Sequence, residues 1–462
     1  MTRNLSHKTN FSLQRLRGFS ILLVLGFHLQ IIVPQFGYLG VDIFFVISGF
    51  LMYSLYPKFS NLLEIKEFYN RRFVRIMPAY LFVVVLTTLA GLFVLKPFEK
   101  TELLRTLVPN SLFVSNFVFW AKEQYFATSS FRPFLNFWSL CIELQFYLVF
   151  PFLVKLLTSS LKYRVICVSI FLASIISTLV VDEISPQTSF FFLPFRLWEF
   201  GIGIFFAWVS SKRLIRVRNR VRKHIISLLI ISIFYLFECG YIIPTTFISK
   251  FLVVFLSGLW LLHTQVSIEK SSPSRLLNLI GDYSYSIYLL HFPIIILINY
   301  SPFTGNSLGF KTLESFVLIV SLIILLSLVL RKYVEKPFYD IARIKQILLS
   351  YLILLFVFST MQLNAFRVAT FGISFEAKNI AMSQYDRSQF RCGTFYRILF
   401  VRPLLNHSDY CEIGKVNKPQ VGSKAKVALL IGNSHADAIK RDRKSTRLNS
   451  SHEWISRMPS SA

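Results

Sequence analysis

The chain has 462 residues, of which 54% are hydrophobic, 16% aromatic and only 16% charged, with Phe alone occurring 49 times. A water-soluble domain keeps a larger charged fraction on its surface, so this balance excludes an ordinary globular protein and makes a bilayer the fitting solvent. The formal net charge of +27 sits in short basic bursts between apolar blocks, which is the positive-inside pattern of membrane topology and argues against a nucleic-acid partner.

The first apolar run follows Arg3, Lys8, Arg15 and Arg17. A cleaved signal peptide needs small residues at a cleavage site and then a polar mature chain. Here a second apolar run begins at Val41 instead, so the first segment reads as a retained membrane helix. Candidate spans are 11–33, 41–56, 78–95, 137–157, 165–181, 193–210, 225–243, 247–264, 283–300, 312–330 and 347–366. The expected fold class is therefore an all-α polytopic membrane protein with about 10–11 transmembrane helices. With the N-terminus in the cytoplasm, 58–75, 155–164, 212–223, 270–275 and 331–345 fall inside, and the outer turns 34–40 and 182–192 carry no Lys or Arg. The stretch between the third and fourth spans breaks the rule. It holds Lys100, Arg105, Lys122 and Arg132, diluted by Glu99, Glu102 and Glu123, and reads as lying partly on the outer face. The basic run 212–223 reads as topology and lipid-headgroup charge. No internal repeat is visible, so the inverted-repeat sign of many transporters is missing.

Eleven spans leave the segment after Arg367 outside. Cys392 and Cys411 there either pair in an oxidising compartment or stay as free thiols. The five cysteines are too scattered for a metal cluster, and no metal is expected.

Ionisable side chains inside spans cost about 2.5–3.5 kcal/mol each, so each demands a reason. Arg17 and His28 are near three helical turns apart and share one face, separated by about 16 Å. Ser284, Tyr288 and His291 follow i, i+4, i+7 spacing on another helix, with His291 roughly 15 Å from its inner end, close to the depth of His28. The two imidazoles are either structural groups bonded to neighbouring helices or parts of one shared polar site. Glu143, Asp42, Arg196 and Glu199 are expected nearer the outer surface, where carboxylates and aromatics suit sugar hydroxyls and ring faces. Helix-packing glue is the competing reading, favoured for the i, i+3 pair Arg196 and Glu199. Arg71, Arg72 and Arg75 concentrate in an expected inner loop, 68–78. They are either ordinary positive-inside charge or a clamp for the phosphates of a nucleotide-containing cofactor.

Taken together, several runs resemble the acyltransferase 3 family of integral-membrane acyltransferases. They are LRGFSILLVLGFH (16–28), GYLGVDIFFVISGFLM (37–52), RRFVRIMPAY (71–80), FWSLCIELQFY (137–147), FRLWEFGIG (195–203), YSYSIYLLHFP (283–293) and VEKPF (334–338). The resemblance implies transfer of an acyl group, usually acetyl from acetyl-CoA, to lipopolysaccharide O-antigen, peptidoglycan or another envelope glycan. It implies a multi-pass protein of the bacterial inner membrane, with acyl-CoA on the cytoplasmic side and the glycan acceptor on the outer side. Arg17 and His28 match the family's Arg-x10-His motif. Arg71, Arg72 and Arg75 match its arginine-rich motif, implicated in donor binding, and Glu143 and His291 match further motif positions. ALLIGNSHADA (428–438) resembles the first block of an SGNH hydrolase-type α/β domain, with a strand at 427–431 and Ser434 as nucleophile. Asn433 stands where that family usually has Asp, and the Asp-x-x-His that would activate the serine is missing, so an inactive fragment is expected.

The expected organisation is a membrane acyltransferase domain at 11–340, a linking transmembrane helix at 341–367, a truncated periplasmic SGNH-like segment at 368–439 and a non-native tail at 440–462. The expected mechanism docks acetyl-CoA on Arg17, Arg71, Arg72 and Arg75 and uses His28 as general base. Direct transfer and a relay through Ser434 in full-length relatives both remain open. A proton-coupled transporter or flippase, with the histidines as a proton relay, is the competing reading, and an envelope scaffold is a third.

Overall fold

The computed structural model describes residues 11–31, 37–122, 132–212, 247–264, 275–301, 307–338 and 343–371. The expected span 225–243, Cys392, Cys411, the strand at 427–431, Asn433, Ser434 and the tail 440–462 lie outside the described residues.

Among the described residues every element is helical. In order they are α1 (Phe11–Leu29), α2 (Leu39–Leu55), α3 (Leu62–Val94), α4 (Pro97–Arg105), α5 (Leu107–Ser111) and α6 (Ser115–Lys122). A 3-10 turn (Leu135–Phe137) leads into α7 (Trp138–Thr158), followed by α8 (Leu161–Ile184), α9 (Pro186–Phe191), α10 (Leu193–Ser211) and α11 (Phe247–Thr264). Then come α12 (Arg275–Asp282), α13 (Ser284–Ile298) and α14 (Leu313–Val329). A π-helical turn (Leu330–Glu335) leads to α15 (Lys336–Phe338), and α16 (Ile344–Phe371) closes the described part.

Five described stretches are long and apolar enough to cross a membrane: Leu62–Val94, Leu135–Thr158, Leu161–Ile184, Leu313–Phe338 and Ile344–Leu363. A sixth is added if α12 and α13, bent by 69°, count as one span. The chain is thus a multi-pass helical membrane protein, with five or six full-length spans among the described residues against the about 10–11 expected for the whole chain. The difference lies partly in α2 and α11, which are apolar but short, and partly in the expected span 225–243, which lies outside the described residues.

Burial separates an inner set of helices from an outer one. The apolar windows of α3 and α7 are each 56% buried, whereas those in α8, α14 and α16 are 17%, 22% and 11% buried. The outer set presents Val165, Ile176, Leu179, Ile324, Leu325 and Phe356 outward, as lipid contact requires. Inside, close approach replaces hydrophobic contrast as the source of packing. A Cβ at Gly49 would strike the Phe200 carbonyl and one at Gly203 the Val46 carbonyl, so α2 and α10 meet backbone to backbone. A Cβ at Gly281 would likewise run into the Gln14 carbonyl, which seats α12 against the start of α1.

One expected boundary is corrected. The arginine segment expected as an inner loop is part of the 33-residue helix α3. The Asn61 side chain caps this helix by accepting from the Glu64 amide at 2.9 Å. A helix of that length runs about 50 Å, well beyond a hydrocarbon core of about 30 Å. Its basic N-terminal part therefore extends past the apolar layer while remaining helical.

Candidate active site

His28 lies in the last turn of α1 and His291 in the middle of α13. Their rings face each other, with Nδ1 of His28 3.2 Å from Nε2 of His291. Both are buried, at 4% and 0% exposure. Nδ1 of His291 sits 3.1 Å from the Ile287 carbonyl one turn earlier, and the rings of Phe27 and Phe292 stand edge-on to His28. The bend at Tyr283 allows this meeting, because α12 packs along α1 and α13 then swings His291 toward the end of α1. A loop closes the same region. The Gly309 amide donates to the His28 carbonyl at 2.8 Å, and Asn299 Nδ2 donates to the Gly309 carbonyl at 2.7 Å. Nε2 of His28 is buried and has no hydrogen-bond partner among the described residues.

A cavity holding about 800 Å³ of atom-free space, its open mouth included, lies between α1, α2, α3, α7 and α13. Arg17, Arg72 and Arg75 line it together with Glu143. Glu143 Oε1 accepts hydrogen bonds from Ser48 Oγ and from the Tyr147 hydroxyl. Nε of Arg17 and of Arg72 are buried without hydrogen-bond partners. Three guanidinium groups against one carboxylate leave an excess of positive charge, which fits an anionic ligand.

Glu143 thus joins Arg17, Arg72 and Arg75 rather than a carboxylate cleft with Asp42, Arg196 and Glu199. Counting residues from the start of α7 measures depth but says nothing about the direction in which a cavity opens. Ser48 and Tyr147 turn the carboxylate into the arginine-lined space. Arg71 is the second departure. It is exposed and pairs with Glu67 on its own helix, Nε to Oε1 3.1 Å, and is not in the cavity lining. Arg71 and Arg75 are i, i+4 neighbours on α3, but Arg71 lies a turn nearer the N-terminus and is held there by Glu67, while Arg72 and Arg75 line the cavity.

The cavity ends one ring short of the histidines. Tyr288 and Phe44 line its end, and the Tyr288 ring lies 5.5 Å from that of His291 and 6.1 Å from that of Phe44. Tyr288 is held firmly. Its hydroxyl donates to the Asn136 carbonyl at 2.7 Å and bonds Ser139, and Asn136 Nδ2 donates to the Tyr288 carbonyl at 2.8 Å. Ser48, Tyr147, Asn136 and Ser139 escape sequence reasoning. Tyr147 was the most accessible of them, since it follows Glu143 by one turn.

The remaining carboxylates form a structural tie. Arg196 bonds Asp42, and its Nη1 lies 3.1 Å from Glu199 Oε1. All three are buried, at 5%, 1% and 0% exposure. The guanidinium also sits over Phe45, Trp138 and Phe190 at 5.5, 5.8 and 5.7 Å. An outward cleft at Asp42 is thereby corrected: Asp42 joins Arg196 and Glu199 inside the packing of α2 against α10.

Residues 10–332 match a family model described as an acyltransferase domain. The chain belongs to the acyltransferase 3 family. Both histidines, the four arginines and Glu143 fall within the matched stretch, and residues 368–439 fall beyond it. Among curated relatives, O-acetyltransferase OatA of Staphylococcus aureus (strain NCTC 8325 / PS 47) is 30% identical over 314 residues, covering 62% of this chain and 51% of that protein. The putative O-acetyltransferase SACOL0978 of S. aureus (strain COL) is 29% identical over 349 residues, covering 71% of this chain and 56% of that protein. The chain thus spans about half the length of the curated relatives it matches. No solved structure matches.

Proposed function

We propose that this acyltransferase 3 chain is an O-acetyltransferase that moves an acetyl group from acetyl-CoA to a hydroxyl of an envelope glycan such as lipopolysaccharide O-antigen. It works in the bacterial inner membrane, with its N-terminus cytoplasmic. The observation that carries the reading is the contact between His28 and His291 just beyond an arginine-lined cavity. The family match and the printed names of both relatives support it.

In this reading Arg17, Arg72 and Arg75 bind the phosphates of the donor, and Arg17 offers its Nε, which has no hydrogen-bond partner among the described residues. Glu143, anchored by Ser48 and Tyr147, offsets part of the repulsion among the guanidinium groups and so holds them around one cavity. The thioester arm passes Tyr288 and Phe44 to reach the histidines. His28 takes the proton of the acceptor hydroxyl as its oxygen bonds to the thioester carbonyl carbon. The carbon–sulfur bond then breaks, and the imidazolium returns the proton to the departing thiolate. Atoms and charge balance without another reactant. A buried imidazole suits both halves of that transfer.

The test uses the full chain in native membranes with acetyl-labelled acetyl-CoA and an isolated envelope glycan. Wild type should label the glycan, and His28→Ala should abolish labelling while the protein still inserts. Movement of solute with no labelled glycan would overturn the reading in favour of a transporter.

A further inference from the structure

The two rings carry enough hydrogen-bond geometry to assign their protons. Nδ1 of His291 lies 3.1 Å from the Ile287 carbonyl. A carbonyl oxygen only accepts, so Nδ1 of His291 carries a proton. A neutral imidazole has a single N–H, which leaves Nε2 of His291 with a lone pair. That lone pair lies 3.2 Å from Nδ1 of His28, so the His28 nitrogen must be the donor. Nδ1 of His28 is thus protonated, and Nε2 of His28 holds the free lone pair. Nε2 is also the buried atom without a partner among the described residues.

The opposite assignment needs His291 to carry two protons and a charge. Its ring is fully buried, and neither ring has a carboxylate partner among the described residues. A charge there, next to Phe292 and a second imidazole, would bear its desolvation cost uncompensated.

We infer that His291 is a positioning residue: anchored on the Ile287 carbonyl, it holds His28 in the Nδ1–H tautomer and thereby makes Nε2 of His28 the proton acceptor. This goes beyond the proposed acetyl transfer by assigning the two histidines unequal roles, and only its kinetic consequence rests on that reading. His291 acts on His28 as the buried orienting group of a hydrolase triad acts on its base, with a neutral acceptor in place of a carboxylate. The Gly309 amide on the His28 carbonyl and the Asn299 side chain on Gly309 fix the backbone end of the same residue.

The experiment has a spectroscopic arm and a kinetic arm, both on the full chain in lipid nanodiscs. Nitrogen NMR on protein labelled at its histidine ring nitrogens reads the tautomer, with His28 assigned by comparison with His28→Gln. The expected result is a protonated Nδ1 and a lone-pair Nε2 on His28 in the wild type. His291→Phe should lose that single tautomer and drop kcat about 100-fold, with KM for acetyl-CoA within about twofold. His291→Gln, whose side-chain oxygen accepts where Nε2 stood, should restore the tautomer and recover at least about tenfold in kcat.

A wild-type His28 protonated on Nε2 would overturn the inference, and so would a His291→Phe protein with unchanged turnover or a folded His291→Gln protein no better than His291→Phe. If wild type transfers no acetyl group at all, the NMR arm still decides the tautomer. Failure of the proposed activity is thereby distinguishable from failure of this assignment. If His291→Phe does not fold, the wild-type spectrum and the Gln variant decide it.

Discussion

Arg196→Met isolates the tie between α2 and α10. The guanidinium is 5% exposed between Asp42 at 1% and Glu199 at 0%. Methionine replaces most of the stem's volume, so the cavity left behind is small and the electrostatic change dominates. Removing the shared partner strands two carboxylates away from water, and breaking a buried ion pair from one side costs about 3–5 kcal/mol. Loss of the contacts over Phe45, Trp138 and Phe190 adds roughly 1 kcal/mol. The expected outcome is about 4–6 kcal/mol of destabilisation. A triple variant, Asp42→Asn with Arg196→Met and Glu199→Gln, removes the stranded charges and should recover more than half of that loss, because neutral replacements of buried ion triads are often tolerated. Chemical denaturation of the purified protein in mild detergent, followed by tryptophan fluorescence, measures all three proteins. Arg196→Met within about 1 kcal/mol of wild type, or a triple variant no more stable than the single one, would refute the reasoning.

Two further outcomes follow from the geometry. Gly281→Ala places a methyl against the Gln14 carbonyl, whereas a Cβ at Gly26 meets nothing within 4 Å. The first change should cost about 1–3 kcal/mol and reduce turnover by shifting α1 against α12, and Gly26→Ala should match wild type in both denaturation and activity. Arg17→Gln and Arg75→Gln should each raise KM for acetyl-CoA by about tenfold or more, since a hydrogen bond to a charged group contributes about 1.5–3 kcal/mol. Arg71→Gln, whose guanidinium pairs with Glu67 outside the cavity, should stay within about twofold in the same steady-state assay.

Much of the outline was readable from residue order alone. Apolar run length identifies helices because the cost of exposing polar backbone in lipid is paid locally, segment by segment. The ordered motifs point to the acyltransferase 3 family, and helical spacing puts Arg17 with His28 and Ser284 with Tyr288 and His291 on shared faces. Matching depth for the two histidines is also a local calculation, made from each helix separately.

What those local rules leave open is which face meets which neighbour. His28 and His291 are 263 positions apart, and Asp42 and Arg196 are 154 apart. Their meeting depends on the 69° bend at Tyr283 and on glycines that let backbones touch. Arg71 parts company with Arg72 and Arg75 because Glu67, one turn earlier on α3, holds its guanidinium, and Glu143 joins the arginines because Ser48 of α2 reaches across to it. Hydropathy and periodicity are properties of one segment in a uniform solvent. The direction of a side chain in a bundle is a property of several segments packed at once, and only the folded chain supplies it.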